Sequence, residues 1–510
     1  MKKILFSILV LTSIHAFAQT PEDVIRLSWF NPSGTARSNA LAGAMGSLGG
    51  DLSSSHINPA GLGFYKSGEF MFAPQIKSNA NSIKYFGNGS TNQASKYGIG
   101  TVGIVFAEGV KRNNFTSTAF SISFTKLADY NNTFSYAGTN NKTSFIEQFS
   151  DQLYHDGASQ KQAEENYIYG SSLAIHSKLI APILNANGDI IDYQPTYSTT
   201  QGLDQYQQTT TTGGYNELAF GWGGNVEDKL YLGASFVMPM INYTKSSYFA
   251  EDKSSTQTPI FDYYDNYSSK GFGIGAKFGI IYKPESFLRM GFTLHTPQII
   301  SFRDESNATM YSNQYPYAAG GLSSSDLASS YSTNYYPRFT DYEILTPLKT
   351  IFSTSYFFAS PTKPKQPLGF ISADLEWVNY AGTKFYSLDN DRTVIQYYDD
   401  LTATVKDNQK NNINIKIGSE VKLNANWMLR AGSAYYGSPY KDESIKASRF
   451  VVSGGIGYRV KNHFIDFTLV NVTTKDALFP YRLMPPSNNY YADYKNQNLM
   501  FTIGYGFKFN

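Results

Sequence analysis

Large apolar side chains alternate with small or polar ones along the C-terminal stretch Leu499 to Asn510. One face carries only large side chains, namely Phe501, Ile503, Tyr505, Phe507 and Phe509. The opposite face carries small or charged side chains, namely Thr502, Gly504, Gly506 and Lys508. Side chains of a strand point alternately to the two faces of its sheet, and lipid-facing barrel strands contrast in this way. The pattern predicts that the chain ends in the closing strand of an outer-membrane β-barrel.

The same alternation recurs along the chain, which predicts an all-β, 14-stranded antiparallel transmembrane β-barrel. The predicted strands are Gly68 to Lys77, Gly98 to Ala107, Phe115 to Leu127, Tyr215 to Val226, Lys229 to Tyr243, Gly271 to Tyr282, Phe287 to Thr296, Leu348 to Phe358, Leu368 to Tyr380, Asn412 to Leu423, Trp427 to Tyr436, Phe450 to Arg459, His463 to Val470 and Asn498 to Phe509. An even number of strands returns both chain ends to the periplasmic side.

Short and long connections alternate between these strands, as they do in outer-membrane barrels. The short links lie at Glu108 to Asn114, Glu227-Asp228, Lys283 to Ser286, Ala359 to Pro367, Asn424 to Asn426 and Val460 to Asn462. The long links, predicted as extracellular loops, are Ser78 to Tyr97, Ala128 to Gly214, Thr244 to Lys270, Pro297 to Pro347, Ala381 to Asn411, Tyr435 to Arg449 and Asn471 to Gln497. A soluble β-sandwich gives no reason for this alternation, so it supports the barrel.

Charged residues fall on one face of the predicted strands. In the strand that begins at Asn412, three isoleucines share the face predicted to meet lipid, whereas Lys416 and Glu420 share the other. The same rule places a larger set of charges in the lumen, namely Glu69, Lys77, Glu217, Lys277, Arg289, His295, Asp374, Glu376, Arg430, Arg459, Asp466 and Lys508. A Lys or Arg facing lipid at the bilayer midplane costs about 2–4 kcal/mol. We interpret these charges as lumen-filling ion pairs that are also candidates for a substrate path.

The N-terminus has the pattern of an exported protein. Lys2 and Lys3 precede the apolar run Ile4 to Ile14, and Ala16-Phe17-Ala18 supplies the small residues that a signal peptidase needs. We expect residues 1–18 to be a signal peptide and the mature chain to begin at Gln19. The sequence contains no Cys, so a lipidated N-terminus, disulfides and thiolate metal sites are not expected.

Composition and charge narrow the location. The chain has 40 Tyr and 36 Phe, and its formal net charge is only +2. This makeup is typical of a barrel with aromatic girdles, and the balanced charge argues against nucleic-acid binding. No segment of the mature chain has the roughly 18–20 consecutive apolar residues of a membrane-spanning helix. We predict a barrel in the outer membrane of a diderm bacterium, surrounded by outer-membrane lipid and inserted by the barrel-assembly machinery.

Residues 19–66 do not alternate, unlike the predicted barrel of residues 67–510. The segment Ala36 to Tyr65 is rich in Gly, Ala and Ser, which suits tight turns and close backbone packing. A barrel of fourteen strands is too wide to be filled by its own side chains, so residues 19–66 are predicted to be a hatch that plugs the lumen. Asn58-Pro59-Ala60-Gly61 forms a rigid turn before the first strand, in which Gly61 allows a positive φ.

Four short motifs follow one another along the mature chain. They are Asp51 to Leu62, Asn225 to Phe236, Asp374-Leu375-Glu376-Trp377, and Trp427 to Gly432 with Ser438-Pro439. In this order they resemble motifs of the FadL/TodX family, the outer-membrane transporters of long-chain fatty acids and aromatic hydrocarbons. The final residues Phe509-Asn510 depart from the barrel-assembly signal, which has its aromatic residue at the terminal position.

The resemblance implies a 14-stranded barrel, plugged by the hatch, from which hydrophobic molecules leave sideways through a gap in the wall. It places Asn58, Pro59, Ala60 and Gly61 at the gate. The alternative is that these four residues only form the turn that leads into the first strand. The sequence leaves both roles open.

Two apolar patches lie in the longest predicted loop. The first is Phe145, Ile146, Phe149 and Leu153, and the second, within Leu173 to Leu184, includes Leu179, Ile180 and Ile183. We predict two amphipathic helices, which either form an apolar docking groove for a ligand or pack on each other as a lid. The Gln- and Thr-rich stretch Tyr197 to Thr212 is predicted to be a mobile loop.

Two classes of function remain. No His lies in a catalytic signature, so no enzyme activity, metal or cofactor is predicted. The first class is an outer-membrane channel for passive uptake of hydrophobic small molecules, and the alternative is a non-transporting subunit of a larger outer-membrane protein assembly or secretion complex. A Tyr-rich loop would suit a protein interface, an aromatic girdle or a carbohydrate contact, and contains Tyr311, Tyr315, Tyr317, Tyr331, Tyr335 and Tyr336.

Overall fold

The computed structural model describes residues 21–109, 114–165, 167, 169–197, 199, 202–253, 259–312, 338–360, 363–443, 445–483 and 489–509. The predicted signal peptide lies outside these residues. So does the predicted Tyr-rich loop, of which only Tyr311 is described. None of the described helices is long and apolar enough to cross a membrane.

Strands dominate the described residues. In chain order they are β1 (Gly68–Tyr85), β2 (Asn88–Glu108), β3 (Phe115–Asp129), β4 (Asn132–Asn140), β5 (Ile180–Leu184), β6 (Ile190–Pro195), β7 (Leu203–Val226), β8 (Leu230–Lys253), β9 (Pro259–Glu285), β10 (Leu288–His295), β11 (Ile299–Ser312), β12 (Arg338–Leu345), β13 (Lys349–Ser360), β14 (Lys363–Val378), β15 (Lys384–Ser387), β16 (Asn412–Lys422), β17 (Trp427–Tyr436), β18 (Ser448–Val460), β19 (His463–Leu478) and β20 (Ala492–Phe509). The α-helices are α1 (Pro21–Arg26), α2 (Ala36–Ala40), α3 (Glu147–His155), α4 (Gln160–Glu165), α5 (Ser171–His176) and α6 (Arg392–Asn408). Short 3₁₀-helices cover Leu52–Ser55, Pro59–Phe64 and Tyr380–Gly382.

Fourteen of the described strands close into an antiparallel barrel. Its neighbours are, in order, β1, β2, β3, β7, β8, β9, β10, β13, β14, β16, β17, β18, β19 and β20. β20 pairs again with β1, from Gly68 opposite Phe509 to Lys84 opposite Asp493. Each predicted strand coincides with one of these fourteen, so the predicted fold class is confirmed.

Side chains alternate between the two faces of the wall as the period-two pattern predicts. Phe70 and Phe72 of β1 and Ile415 of β16 are exposed on the outside, whereas Glu69 and Glu420 are buried on the inside. Hydrocarbon accepts the apolar outer face, and the polar inner face finds partners within the lumen. All of the charges predicted for the lumen lie on the inner face.

The wall continues far beyond its lipid-facing part. β7 and β8 have 24 residues each and β9 has 27, although about 9–11 suffice to cross a bilayer. Outside the membrane, β4, β11, β12 and β15 extend the same sheet. Three loop predictions are therefore wrong over most of their length. They are the loops Ser78 to Tyr97 and Thr244 to Lys270 and the mobile loop Tyr197 to Thr212. These strands carry polar side chains on both faces because neither face meets lipid.

A cap covers the extracellular end of the barrel. It comprises residues 141–197, with α3, α4, α5 and the β5–β6 hairpin. These elements pack against β8, β9 and β11 around a buried apolar cluster that includes Phe145, Phe249 and Met310. Tyr481, between β19 and β20, joins this cluster with its ring centroid 5.7 Å from that of Phe145. Because the cap contacts segments from separate parts of the wall, it spans the mouth of the barrel.

Candidate functional site

The hatch, described from residue 21 onwards, lies inside the barrel. The side chains of α2 and of both following 3₁₀-helices are mostly buried. Thr35 caps α2 by accepting a hydrogen bond from the Ser38 amide at 3.1 Å, and its hydroxyl donates to Asp51 at 2.8 Å. Asp51 in turn accepts from the Ser53 amide at 2.9 Å. Helix capping thus joins successive turns of the hatch into one folded unit.

Asn58 connects two segments of the hatch. Its Oδ1 accepts a hydrogen bond from the Ala60 amide at 3.1 Å and so caps the 3₁₀-helix Pro59–Phe64. Its Nδ2 donates to the Gly46 carbonyl at 2.6 Å. The Asn-Pro-Ala-Gly turn is therefore fixed within the hatch before the chain enters β1.

Gly61 serves close packing rather than the predicted positive φ. The φ of Gly61 does not fall in the positive range, so that part of the prediction is wrong. A Cβ at this position would lie 2.5 Å from the Ser54 Oγ and 2.8 Å from the Gly49 Cα. Only glycine allows the two hatch segments to approach this closely.

Inward-facing glycines of the wall receive the backbone of the hatch. A Cβ at Gly233 of β8 would overlap the Pro59 carbonyl and the Ala60 amide, and one at Gly223 of β7 would lie 2.7 Å from the Gly63 amide nitrogen. Similar contacts with the hatch occur at Gly279, Gly291, Gly418, Gly432, Gly455 and Gly504. The hatch therefore touches eight wall strands at these glycines, with side-chain atoms of Asn58, Ala40 and Ala36 nearest at Gly279, Gly455 and Gly504, and it closes the direct route to the periplasm at these contacts.

Lumen charges bind the hatch to the wall. Glu420 accepts from Arg37 of the hatch at 3.1 Å and from Arg430 at 2.7 Å. The other side of the Arg430 guanidinium contacts Asp466 at 2.5 Å. Asp374 accepts a hydrogen bond from the hatch backbone at 3.0 Å. Glu420, Arg430 and Asp374, all predicted as lumen charges, thus contribute to the seat of the hatch.

Two further charge clusters border the space between the hatch and the cap. Glu376 lies 2.9 Å from the Lys416 ammonium and 3.6 Å from the Lys349 ammonium. Glu217 is hydrogen-bonded to Lys277, and its carboxylate is also 2.7 Å from the ring of a hatch histidine. Three lysines therefore share two glutamates here. Lys349, with the longest of these contacts, is the least closely paired of the three.

Two cavities border the hatch. The first, the Lys349 cavity, has a volume of about 130 Å³, and its lining includes Leu27, Ile57, Tyr215, Glu217, Lys277, Lys349, Ile351, Glu376, Val378 and Lys416. The second, the Lys77 cavity, has a volume of about 200 Å³, and its lining includes Arg26, Trp29, Lys77, Ala128, Asp129, Tyr130 and Met500. Four residues line both cavities and form the partition between them, namely Phe30, Asn31, Pro32 and Leu127. These four are not among the predicted site residues, because only the turn signal Asn31-Pro32 marks them in the sequence.

The Lys77 cavity borders a seam in the wall, since Leu127, Ala128 and Asp129 of β3 line it. β2 and β3 form a backbone ladder from Thr101 opposite Thr125 down to the periplasmic end. Beyond Thr101, the described part of β2 forms a ladder with β1 alone, and β3 and β4 form ladders with β7 alone. Near the extracellular end, the Ser90 hydroxyl donates across the seam to the Ser135 carbonyl at 2.6 Å. The wall is thus held at this seam by side chains instead of by backbone pairing.

The residues predicted as a ligand-docking patch lie in the cap. Phe145, Ile146, Phe149, Leu153, Leu179 and Ile180 are buried in its apolar core, and Ile183 is half-buried in β5. These six side chains pack together and against the wall, which is the packing expected of the lid alternative. The second predicted helix is wrong over Ile180 to Leu184, because that segment pairs with β6 after α5 ends at His176.

The two lumen histidines take part in hydrogen bonds. His56 Nδ1 faces Glu217, and its Nε2 is 3.0 Å from the Ser123 hydroxyl. His295 Nε2 is 2.9 Å from the Ile57 carbonyl. Among the residues that the structure describes, no three His, Asp or Glu side chains converge as a metal site.

Glu251 is a buried carboxyl group between the wall and the cap, above the lipid-facing part of β8. It accepts hydrogen bonds from Ser144 at 2.7 Å, Gln205 at 3.0 Å and Tyr197 at 3.3 Å. Burial raises the pKa of Glu251 to about 7, although these three hydrogen bonds lower it. The closed cap therefore favours the protonated carboxyl, and its stability declines as the pH rises from about 4.3, the ordinary pKa, to about 7.

We expect Glu251→Gln to remove this pH dependence. In the wild type, cap stability should fall by about 2–4 kcal/mol between pH 4 and pH 8, since each pKa unit corresponds to about 1.4 kcal/mol. The measurement is amide hydrogen exchange of residues 141–197 across this pH range. The control is Glu165→Gln on α4, whose side chain is exposed. Equal pH dependence in Glu251→Gln and the wild type would contradict the assignment.

A closed barrel of fourteen antiparallel strands with an apolar outer face and an internal plug defines an outer-membrane β-barrel protein. The model of the family "Outer membrane protein transport protein (OMPP1/FadL/TodX)" matches residues 224–509. The chain belongs to this family of outer-membrane transport proteins, as the resemblance of its motifs predicted. Its location is the outer membrane.

Solved structures show the same fold. A FadL homologue of Pseudomonas aeruginosa has 14% sequence identity and a TM-score of 0.55, and the match covers 94% of this chain and 99% of that one. The toluene transporter TodX of Pseudomonas putida has 12% identity and a TM-score of 0.51 over the same shares of the two chains. A search of curated protein sequences gave no match.

Proposed function

We propose that this protein takes up a hydrophobic small molecule from outside the cell and releases it sideways into the outer membrane. The observation that carries the proposal is the path formed by the two cavities. It leads from the Lys349 cavity past the partition at Phe30 and Leu127 to the Lys77 cavity, and from there to the seam between β2 and β3.

The glycine contacts of the hatch support a sideways exit. They close the way to the periplasm at eight strands, whereas the seam lacks a backbone ladder over the described residues beyond Thr101. Each CH₂ group moved from water to hydrocarbon contributes about 0.8 kcal/mol, so the membrane interior is the favoured destination for an apolar solute. The hatch then seals the barrel while the partition, made of its residues 30–32 and Leu127, controls passage.

The lining of the Lys349 cavity favours a long-chain molecule with one acidic head group. Leu27, Ile57 and Val378 offer apolar contacts, and Lys349 has only a 3.6 Å contact with the glutamate that it shares. A carboxylate would complete the pairing of the three lysines with the two glutamates. TodX is a toluene transporter, and a neutral hydrocarbon of that kind would bring no negative charge to Lys349. We therefore expect a fatty-acid-like substrate in preference to an aromatic hydrocarbon.

Uptake of labelled oleate tests the proposal. The protein is produced in cells that lack their own outer-membrane channel for fatty acids, and toluene uptake is measured in parallel. We expect Leu127→Trp to reduce oleate uptake about tenfold, because the larger side chain would fill the partition at a cost of about 1–3 kcal/mol. The matched control is Leu423→Trp, at an exposed position outside the lumen.

The outcomes separate the parts of the proposal. Oleate uptake that is no higher than in cells without the protein would contradict transport of this class. Uptake that is unchanged by Leu127→Trp would contradict the path through the partition. Faster uptake of toluene than of oleate would contradict the acidic head group.

We also propose that other outer-membrane proteins contact the part of the wall outside the membrane, as a subunit role in a larger complex would require. β12 and β15 offer a protein surface there that acyl chains do not cover. Gentle extraction of the tagged protein, followed by mass spectrometry, tests this role. Partner proteins in equal amounts would support it, and a barrel recovered alone would contradict it.

A further inference from the structure

Four tyrosines form a continuous row on the outer face of the wall. They are Tyr206 of β7, Tyr248 of β8, Tyr264 of β9 and Tyr311 of β11. Successive ring centroids are 5.9, 4.9 and 6.0 Å apart, so each ring contacts the next. We call this set the tyrosine row.

The tyrosine row lies well above the membrane. Tyr248 and Tyr264 are directly paired, and they lie eight residues beyond the paired outward residues Met240 and Phe272. At about 3.3 Å per residue and a strand tilt of about 35–45°, this separation places the row about 20 Å above that pair. Lipid head groups occupy only about 5–8 Å on each side of the hydrocarbon. The row is therefore too high to be an aromatic girdle.

Hydrogen bonds hold the rings of the row in place. The Tyr248 hydroxyl donates to Asp262 at 2.6 Å, and the Tyr206 hydroxyl donates to Gln208 at 3.0 Å. Tyr264 remains 41% exposed at the centre of the row. The face between the row and the membrane is polar, since Asn266 bonds to Ser246 and to Asn307 there. The row thus combines one exposed and three half-buried rings with carboxylate and amide acceptors.

We propose that the tyrosine row binds the oligosaccharide of the outer-leaflet glycolipid. Sugar rings present C–H groups that pack on aromatic faces, and their hydroxyl groups donate to carboxylates and amides. A row of four touching rings matches a chain of linked sugars better than a single small molecule. The height of about 20 Å above the lipid-facing part of the wall puts the row where glycolipid sugars surround the protein. Acyl chains cannot reach this height, and the row lies outside the lumen that serves transport.

Calorimetric titration of the purified barrel in detergent tests the site. The probe is delipidated core oligosaccharide, released from lipopolysaccharide by mild acid, and xylohexaose serves as a free glycan. We expect saturable binding of the core oligosaccharide, with a Kd raised about tenfold or more in Tyr248→Ala/Tyr264→Ala. Tyr154→Ala, at an exposed tyrosine on α3 outside the row, should bind as the wild type does.

Two further variants guard against a loss of folding. Tyr248→Phe/Tyr264→Phe retains the rings and should keep its Kd within about threefold of the wild-type value. Asp262→Asn retains the shape of the side chain but removes its charge, and should weaken binding several-fold without lowering the unfolding temperature. Absence of saturable binding in the wild type, or an unchanged Kd in both Tyr248→Ala/Tyr264→Ala and Asp262→Asn, would overturn the site. Equal or tighter binding of xylohexaose would overturn the assignment to the glycolipid.

Discussion

Gly233→Ala is expected to dislodge the hatch and turn a closed barrel into an ion-conducting pore. The added methyl group would overlap the Pro59 carbonyl and the Ala60 amide. Both are backbone groups, so no side-chain rotation relieves the overlap, and the Asn58 cap holds the Ala60 amide in place. Overpacking of this kind typically costs about 1–3 kcal/mol, and here the cost falls on the contact that seats the hatch. Conductance in planar lipid bilayers measures the result.

Gly454→Ala is the matched control for this experiment. Gly454 is also in a barrel strand, β18, but the nearest atom to an added Cβ is the Arg430 carbonyl oxygen at 3.8 Å. We expect Gly454→Ala to conduct no more than the wild type, while Gly233→Ala shows frequent openings. A Gly233→Ala barrel that is as closed as the wild type would show that the hatch yields at this contact without moving.

Arg430→Met is expected to lower the free energy of unfolding by about 3–5 kcal/mol. The guanidinium is buried between Glu420 and Asp466, at 2.7 and 2.5 Å. Methionine fills a similar volume but leaves Asp466 without this partner and Glu420 with Arg37 alone. Removal of one member of a buried charge network is costly because the remaining charges keep their desolvation penalty. Urea unfolding of the protein in lipid vesicles, at pH 7, measures the change.

Arg303→Met provides the comparison for the buried network. Arg303 also pairs with a carboxylate, that of Asp341 at 2.9 Å, but both side chains are largely exposed. Solvent screens such a pair, so we expect its loss to leave the unfolding curve unchanged. Equal effects of Arg430→Met and Arg303→Met would contradict a special role of the buried network.

The barrel could be predicted from sequence because lipid imposes one repeating rule on the wall. Wherever a strand meets hydrocarbon, every second side chain is apolar, as at Phe501, Ile503 and Tyr505 in β20. Small and polar residues fill the alternate positions. The rule holds locally in each strand, so that no knowledge of the neighbouring strands is needed to recognise it.

The extracellular part of the wall was not predicted, because the alternation of apolar and polar side chains stops where the strands leave the membrane. Thr209 to Thr212 belong to β7, yet they look like loop residues because both faces there meet water or polar neighbours. Their strand structure comes from the ladder with β8, a contact between distant residues. The helix prediction for Ile180 to Leu184 was wrong for a similar reason, since an apolar run of five residues fits a short helix or a strand equally well.

The seat of the hatch was predicted only in part. The Gly-rich N-terminal segment and its Asn-Pro-Ala-Gly turn indicated a plug, but not the wall positions that receive it. Gly233 carried a usable signal, because Tyr231 and Val237 are larger residues on the same inward face of β8. The partition residues Phe30 and Leu127 carried no such signal in the sequence, since their role depends on how the hatch and β3 meet in three dimensions.

The backbone contacts of the hatch also constrain the order in which the protein assembles. Ala36 lies against Gly504 in the last strand to be synthesised, while Ala60 lies against Gly233 near the middle of the chain. A ring already closed would leave no route for a compact segment that fits at backbone distance. The N-terminal segment must therefore remain without its wall contacts until most of the sheet surrounds it. The joining of β1 to β20 is then the last step. Such long-range contacts make for slow folding, so the interval before closure is when the nascent barrel is most exposed to degradation.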